Sequence, residues 1–471
     1  MTTFEEVPES ANRSDTGVET INISAGGKES LFRITMFGLT AQQLVPGLAL
    51  AGGYLVLYSG NASWLAMLIS GLAALCICVA VNVFARRHVV TGSLLSYVGL
   101  ALGRVPQRIV AAAYLLGYVI AAAAMVTSVV IFTSSFLQSV GVSFAAAGWF
   151  QGVSAVVIAL LAGALTYRGL DTSIVVASVL AFLAFPLIAA TAIGAAVHDG
   201  VNMGGQLSLQ GGTSQGLIDG VIVALAFFVG FDGLAALSAE TREPLKNIAR
   251  MLNLVLWICL LGFIVVILIT IPALTLHSDQ LAAGSSPTAL LSDAAGMGWL
   301  QKPIDLLLIA ATFASVVALL NFAARIVATA GTDGYLPRVM ERVHPRYGSP
   351  TVSTIVLTAF SAVIPVGLQL VASAPPLKSS TYLFTLYSLF WVVPYVLIAL
   401  AAIAEMRKAG RIRPVAALIS LIGAGMFVYF LVYSITNSAG GVLGAMPYVM
   451  LGMLVFGFVG FSISDARRQR P

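Results

Sequence analysis

The sequence predicts an all-α polytopic membrane protein with twelve transmembrane helices, and three observations lead there. Of 471 residues, 59% are hydrophobic and only 9% are charged, with a mean hydropathy of +0.97; a soluble domain carries about 25% charged residues. The apolar stretches are long enough for helical spans of roughly 20 residues, whereas barrel strands are shorter and alternate. The basic residues are also strongly sided. With the N-terminus inside, 22 of the 24 Lys and Arg residues fall on the inner face, and only Lys302 and Lys378 fall outside. A missed span would scramble that asymmetry, so it supports both the count and an inward location of both termini.

In chain order, residues 1–30 are polar, with Glu5, Glu6, Glu9, Asp15 and Glu19, and have no apolar core like that of a signal peptide. They are expected to form a flexible cytoplasmic tail. A single membrane domain is expected over 31–463, followed by a short cytoplasmic tail, 464–471. The spans run roughly 33–58, 62–84, 107–138, 146–166, 172–197, 216–238, 250–276, 303–330, 351–371, 380–403, 414–436 and 442–463. The basic clusters sit between them: Arg86, Arg87, Arg104 and Arg108, then Arg168, then Arg242, Lys246 and Arg250. Arg325, Arg338, Arg342 and Arg346 follow, then Arg407, Lys408, Arg411 and Arg413. The net charge of +5 is small and does not argue for nucleic acid. Cys76, Cys78 and Cys259 all lie in apolar runs and read as buried thiols.

Two spans are interrupted. In span 1, Gln42 and Gln43 lie at the depth of Pro46 and Gly47; a proline inside a helix removes a hydrogen bond and clashes with the preceding turn, so a break is expected near Gln42–Gly47. In span 6, Phe227, Phe228, Val229, Gly230, Phe231, Asp232 and Gly233 place a carboxylate between two helix-weakening glycines at mid-membrane depth. A charge there costs roughly 2.5–3.5 kcal/mol, so it faces a cavity or a partner. Spans 1 and 6 are five apart and therefore cross in opposite directions, which suggests an inverted repeat: about 33–197 and about 216–403, with 414–463 added. The long connections 85–106 and 277–302 are also five spans apart. Each holds a short helix-like piece (Ser93–Leu102 and Pro287–Ala295) suited to lie across a vestibule.

Three segments then resemble a known family. They are GFDGLAALSAETREP at the exit of span 6; NFAARIVATAGTDGYLPRVMERVHPRYGSP after span 8, with Asn321, Arg325, Asp333, Gly334, Leu336, Pro337, His344, Pro345, Gly348 and Pro350; and ARRHVVTGSLLSYVGLALGR, with Arg87, Gly92, Tyr97 and Gly103. Together they are similar to the amino acid–polyamine–organocation (APC) superfamily of permeases, over spans 1 to 10. The resemblance implies a LeuT-like 5+5 inverted repeat plus two C-terminal helices. It also implies uptake or exchange of amino acids or related amines, and a site between spans 1 and 6 walled by spans 3 and 8. The chain departs from the family in three places. Leu39-Thr40-Ala41-Gln42-Gln43-Leu44-Val45-Pro46 stands where many members carry Gly-x-Gly. Glu243 stands where Asn is common. Span 5 has no Lys or Arg where some proton-coupled members carry Lys.

The expected chemistry is binding and release, with no catalytic residue. Ala41, Gln42, Gln43, Pro46 and Gly47 are expected to form one wall, and Phe227, Gly230, Phe231 and Asp232 the other, with Tyr118 and Tyr114 from span 3. Free helix ends carry partial charges suited to both groups of an α-amino acid. Asp232 has three open roles: holding an ammonium, carrying a coupling proton, or pinning the break by accepting local donors. Ser315 on span 8 is a further candidate for the wall. Glu240, Arg242, Asn321, Arg325 and Asp333 are expected to gate or brace the inner side. No phosphate loop, metal cluster or cofactor motif is present, so ATP is not expected to drive the process; H+ is the expected coupling ion, by symport or exchange. The expected partners are a small-molecule substrate and the lipid bilayer, and the expected location is the cytoplasmic membrane. Two alternatives remain: a same-fold carrier of another solute, such as a nucleobase or an organic cation, and a non-transporting sensor or partner subunit.

Overall fold

The structure, a computed structural model, describes residues 29–168, 173–372, 375–437 and 441–468. The tail through Lys28, Thr172 at the expected start of span 5, and the residues after Arg468 lie outside the described residues. The described chain is helical, with two isolated bridges and no longer strand among the described residues. The helices are α1 (Leu31–Ala41), α2 (Leu44–Ser59), α3 (Ser63–Ala85), α4 (Leu94–Leu102), α5 (Arg104–Ser139), α6 (Gly148–Tyr167), α7 (Ser173–Asp199), α8 (Met203–Leu207) and α9 (Ser214–Leu225). They continue with α10 (Pro244–Leu276), α11 (Ser278–Ala282), α12 (Pro287–Ala294), α13 (Gln301–Thr332), α14 (Thr351–Ala372), α15 (Pro376–Lys408), α16 (Pro414–Thr436) and α17 (Gly441–Arg468).

Among the described residues, nine helical runs are long and apolar enough to cross a membrane; the run Leu31–Ala85 counts once although it holds α1, α2 and α3. Leu183–Asp199 and α9 are shorter apolar pieces. Burial separates core from periphery. In the most apolar window, 89% of α5 is buried, against 28% for α6 and α16. The outward faces carry Leu160, Leu161, Val363, Leu418 and Phe456, all exposed. An apolar belt of that extent is stable only in lipid, and the chain is a multi-pass membrane protein.

The two interruptions have distinct local causes. α1 stops at Ala41, and Gln43 takes a left-handed backbone, φ 53°. Pro46 then falls in the first turn of α2, where its missing N–H costs nothing and its fixed φ suits a helix start. The second half-helix opens at Leu44 with the proline inside its first turn, and the break lies just before it, at Gln42–Gln43. α9 stops at Leu225; Gly230 is left-handed at φ 83°, and a 3₁₀ segment, Phe231–Glu240, carries the chain onward. A side chain at Gly230 would collide with the Tyr387 hydroxyl.

These two interrupted elements run antiparallel, because their contacts occur in reverse order. Before α1, the Glu29 backbone pairs with Glu240 and Arg242. At the break, the Gln42 side-chain amide reaches Phe227 and Val229. At the end of α2, the Ser59 hydroxyl bonds the Gly216 carbonyl. The two breaks thus meet at one level. α4 does not lie on the surface: Leu94, Leu95, Tyr97 and Val98 are fully buried, and Ser93 before it donates to the backbone carbonyl of Asp232 at 2.6 Å.

Candidate functional site

A cavity of about 30 Å³ lies where the breaks meet. A water needs roughly 10–15 Å³ of such space, so about two fit and a larger solute requires its walls to move. Of the residues expected to form the site, Ala41, Gln42, Gln43, Gly47, Phe227 and Gly230 line this cavity, while Pro46, Tyr118, Phe231 and Asp232 do not. The remaining wall is mostly apolar: Leu50 and Tyr54 from α2, Met125 from α5, Leu319 and Phe322 from α13, and Phe384 and Tyr387 from α15.

The α2 side of the cavity is a bare helix start. The first N–H groups of any helix lack acceptors within it, and Gln43, the residue at the cap, provides no side-chain bond to them. The cap residue Gln43 and Gly47, whose N–H closes the first turn on Gln43 O at 2.7 Å, line the cavity, beside the uncapped N–H groups of Leu44 and Val45. An uncapped helix start favours an anion such as a carboxylate.

The α9 side is different. Gln42 Nε2 donates to Phe227 O at 3.1 Å and to Val229 O at 3.2 Å, fastening one break to the other. The Tyr387 hydroxyl also donates to Val229 O, at 2.6 Å. Val229 O is thereby saturated, while Phe227 O keeps a second lone pair.

Asp232 is fully buried inside a cage of aromatic donors. Trp391 Nε1 donates to Oδ1 at 3.0 Å, the Tyr395 hydroxyl donates to the same oxygen at 2.8 Å, and the Tyr114 hydroxyl donates to Oδ2. The Tyr395 oxygen also accepts the Gly230 N–H at 3.0 Å. The charge is spent inside the protein, and the cage fixes the backbone of the break. Tyr118 packs edge-on against Tyr114, Trp391 and Phe322, behind the cavity wall. Phe231 stacks obliquely against Tyr395 and is fully buried.

The five residues expected to gate or brace fall in separate places. Arg325 Nη2 and Glu240 Oε1 are 2.9 Å apart and largely buried, and Arg325 Nη1 also donates to Asn321 O at 3.0 Å. This ion pair ties α13 to the end of the 3₁₀ segment. The Asn321 side chain bonds the Val317 carbonyl of its own helix. Asp333 accepts from Gln107 Nε2 at 2.9 Å, joining the end of α13 to α5. The Arg242 side chain is exposed, while its backbone N–H bonds Glu29 O. Ser315 bonds back to Ala311, and His344 accepts two backbone N–H groups in a turn. The three cysteines are free, and no metal-binding cluster occurs among the described residues.

The contribution of α15 escapes the sequence reading. Tyr387, Trp391 and Tyr395 recur every four residues, on one helix face, and each has a polar edge. That spacing, opposite an unpaired carboxylate elsewhere in the chain, is the signal that would have found them.

The chain is thus a multi-pass membrane protein whose helix interruptions enclose a small, largely apolar cavity. A family model described as amino acid permease matches residues 30–457. The chain belongs to that family of membrane transporters. It is 24% identical to a branched-chain amino acid permease of Bacillus subtilis, over 83% of this chain and 84% of that one. It is 27% identical to an uncharacterized transporter of Mycobacterium tuberculosis, over 62% of this chain and 63% of that one. A methylthioribose transporter of Bacillus subtilis is 23% identical over 91% of this chain and 92% of its own length.

Proposed function

We propose that the protein is a secondary active permease for neutral, apolar α-amino acids. It spans the cytoplasmic membrane twelve times with both termini inside, as a LeuT-like 5+5 inverted repeat with two added helices. The carrying observation is the meeting of two antiparallel interrupted helices at one cavity. The bare start of α2 takes the substrate carboxylate, the free lone pair on Phe227 O takes the ammonium, and Leu50, Met125, Leu319 and Phe384 receive the side chain. Asp232 holds the break in shape, and the cavity wall offers no charge to a cationic side chain. The names of the Bacillus subtilis permease and of the family agree with this substrate class. On the inner side, the Arg325–Glu240 pair and the Gln107–Asp333 bond hold the path closed and part during alternating access.

Transport is driven by the proton gradient or by exchange. Purified protein in vesicles is expected to accumulate labelled L-leucine, and Gln43→Ala and Asp232→Asn are expected to impair it. Imposing a pH gradient, or loading unlabelled leucine inside, separates symport from exchange. Wild-type uptake by both variants at normal expression would overturn the site.

A further inference from the structure

A second polar group lies at the other end of the molecule, around a buried carboxylate that the central site does not use. Asp305, near the start of α13, is fully buried. The Ser135 hydroxyl of α5 donates to its Oδ2 at 2.6 Å, and the Thr288 hydroxyl of α12 donates to its Oδ1 at 3.3 Å. These bonds fix the direction of the hydroxyl protons. Thr288 gives its proton to Asp305, so in the 2.9 Å contact between Ser286 and Thr288 the Ser286 hydroxyl is the donor. The hydroxyl protons of Ser135, Thr288 and Ser286 all run toward the carboxylate, and the lone pairs of Ser135 and Ser286 point away from it.

Ser135 and Ser286 line a vestibule of about 440 Å³, together with Ser134, Gln138 and Gln301. Gln301 Nε2 makes only a long 3.5 Å contact to Ser135. Gln138 gives one amide N–H to the Ser134 carbonyl, and its own oxygen is an acceptor. Ser134 is 4% exposed, and its hydroxyl is buried without a hydrogen-bond partner among the described residues. A buried hydroxyl left unpaired costs about 1–3 kcal/mol, which a ligand group recovers on binding. No Lys, Arg or His lines this space, and Lys302 and Lys378, next in sequence to two lining residues, are exposed.

We propose that this vestibule is a second binding site, selective for a primary ammonium group. The ammonium is held by Ser134, Ser135 and Ser286, with Asp305 as the counter-charge behind them. Ser134, Ser135 and Ser286 make the direct contacts. Asp305 acts through the hydroxyls as a positioning residue. The proposal rests on the permease reading only for the outward orientation of the vestibule and for the source of the ammonium, the substrate's own amino group. The site itself requires no transport.

The test is binding of isopentylamine, which has the ammonium but no carboxylate, to full-length protein in nanodiscs by calorimetry. 4-Methylpentanoate, with the carboxylate alone, is the control. Wild type is expected to bind the amine at the vestibule. Asp305→Asn is expected to weaken it about tenfold, as loss of a charge behind the hydrogen bonds requires, and Ser134→Ala about threefold. Phe227→Trp, which fills the central cavity, is expected to leave amine binding intact. Thermal unfolding of each variant separates misfolding from lost binding, and Ser134→Ala, which breaks no existing bond, covers the case in which Asp305→Asn does not fold. Absence of amine binding to wild type, or amine binding that is lost in Phe227→Trp and kept in Ser134→Ala, would overturn the proposal. A failure of leucine uptake with amine binding intact would instead overturn the permease reading alone.

Discussion

The two helix interruptions meet at one level yet are built in opposite ways. At Gln42–Gln43 the new helix starts uncapped: the cap residue gives no side-chain bond to its first N–H groups, and Gln42, Gln43 and Gly47 line the cavity. At Phe227–Gly233 most of the polar groups are already satisfied. Asp232 is caged by Tyr114, Trp391 and Tyr395, and Gly230 and Val229 are bonded by Tyr395 and Tyr387. The difference divides the labour. Under the proposed function, one break is the side that takes the ligand and the other is the scaffold that keeps the first in place. Gln42 couples them through two bonds to the carbonyls of the scaffold.

Asp232→Ala makes the strongest test of that division. It leaves three buried donors unpaired, and it is expected to destabilise the protein by about 3–5 kcal/mol. The thermal unfolding temperature should fall sharply, together with uptake. Unchanged unfolding with uptake abolished would break the comparison, because Asp232 would then serve the ligand.

Gly230→Ala comes next. A left-handed backbone costs a non-glycine residue about 1–2 kcal/mol, and the added Cβ must also displace the Tyr387 hydroxyl. Unfolding at a lower temperature is the expected outcome, again with lost uptake. Tyr395→Phe removes one donor from the cage and one acceptor for Gly230, and is expected to cost about 1 kcal/mol. Gln42→Ala is expected to move unfolding least, by less than about 1 kcal/mol, yet to lower leucine uptake about tenfold. A variant with a small stability loss and a large functional loss is what distinguishes the bare break from the caged one.

Much of this arrangement was legible in the chain. The run of Gln42, Gln43 and Pro46 marked an interruption because a proline and two amides at membrane depth need backbone or water partners. Gly230-Phe231-Asp232-Gly233 marked another for the same reason. Side-chain direction was not legible. Asp232 and Phe231 turn away from the cavity, while Phe227, four positions earlier than Phe231, lines it. In an irregular segment no helical period relates position to face, so spacing alone assigns neither. The break falls at Gln42–Gln43, inside the expected stretch Gln42–Gly47, and Pro46 lies in the first turn of the helix that follows, where its missing N–H is harmless. Asp305 passed unremarked because it sits at the end of a long apolar span, and its partners, Ser135 and Thr288, lie far away in sequence.

The measurement that bears most directly on the paired-break site is L-leucine uptake into vesicles by wild type and Phe227→Trp, with thermal unfolding of both. Phe227 is partly exposed and lines the cavity, so the larger indole takes up space that the substrate needs. The expected result is accumulation by wild type, none by Phe227→Trp, and unfolding of the two at the same temperature. Equal uptake by the two proteins would contradict the account.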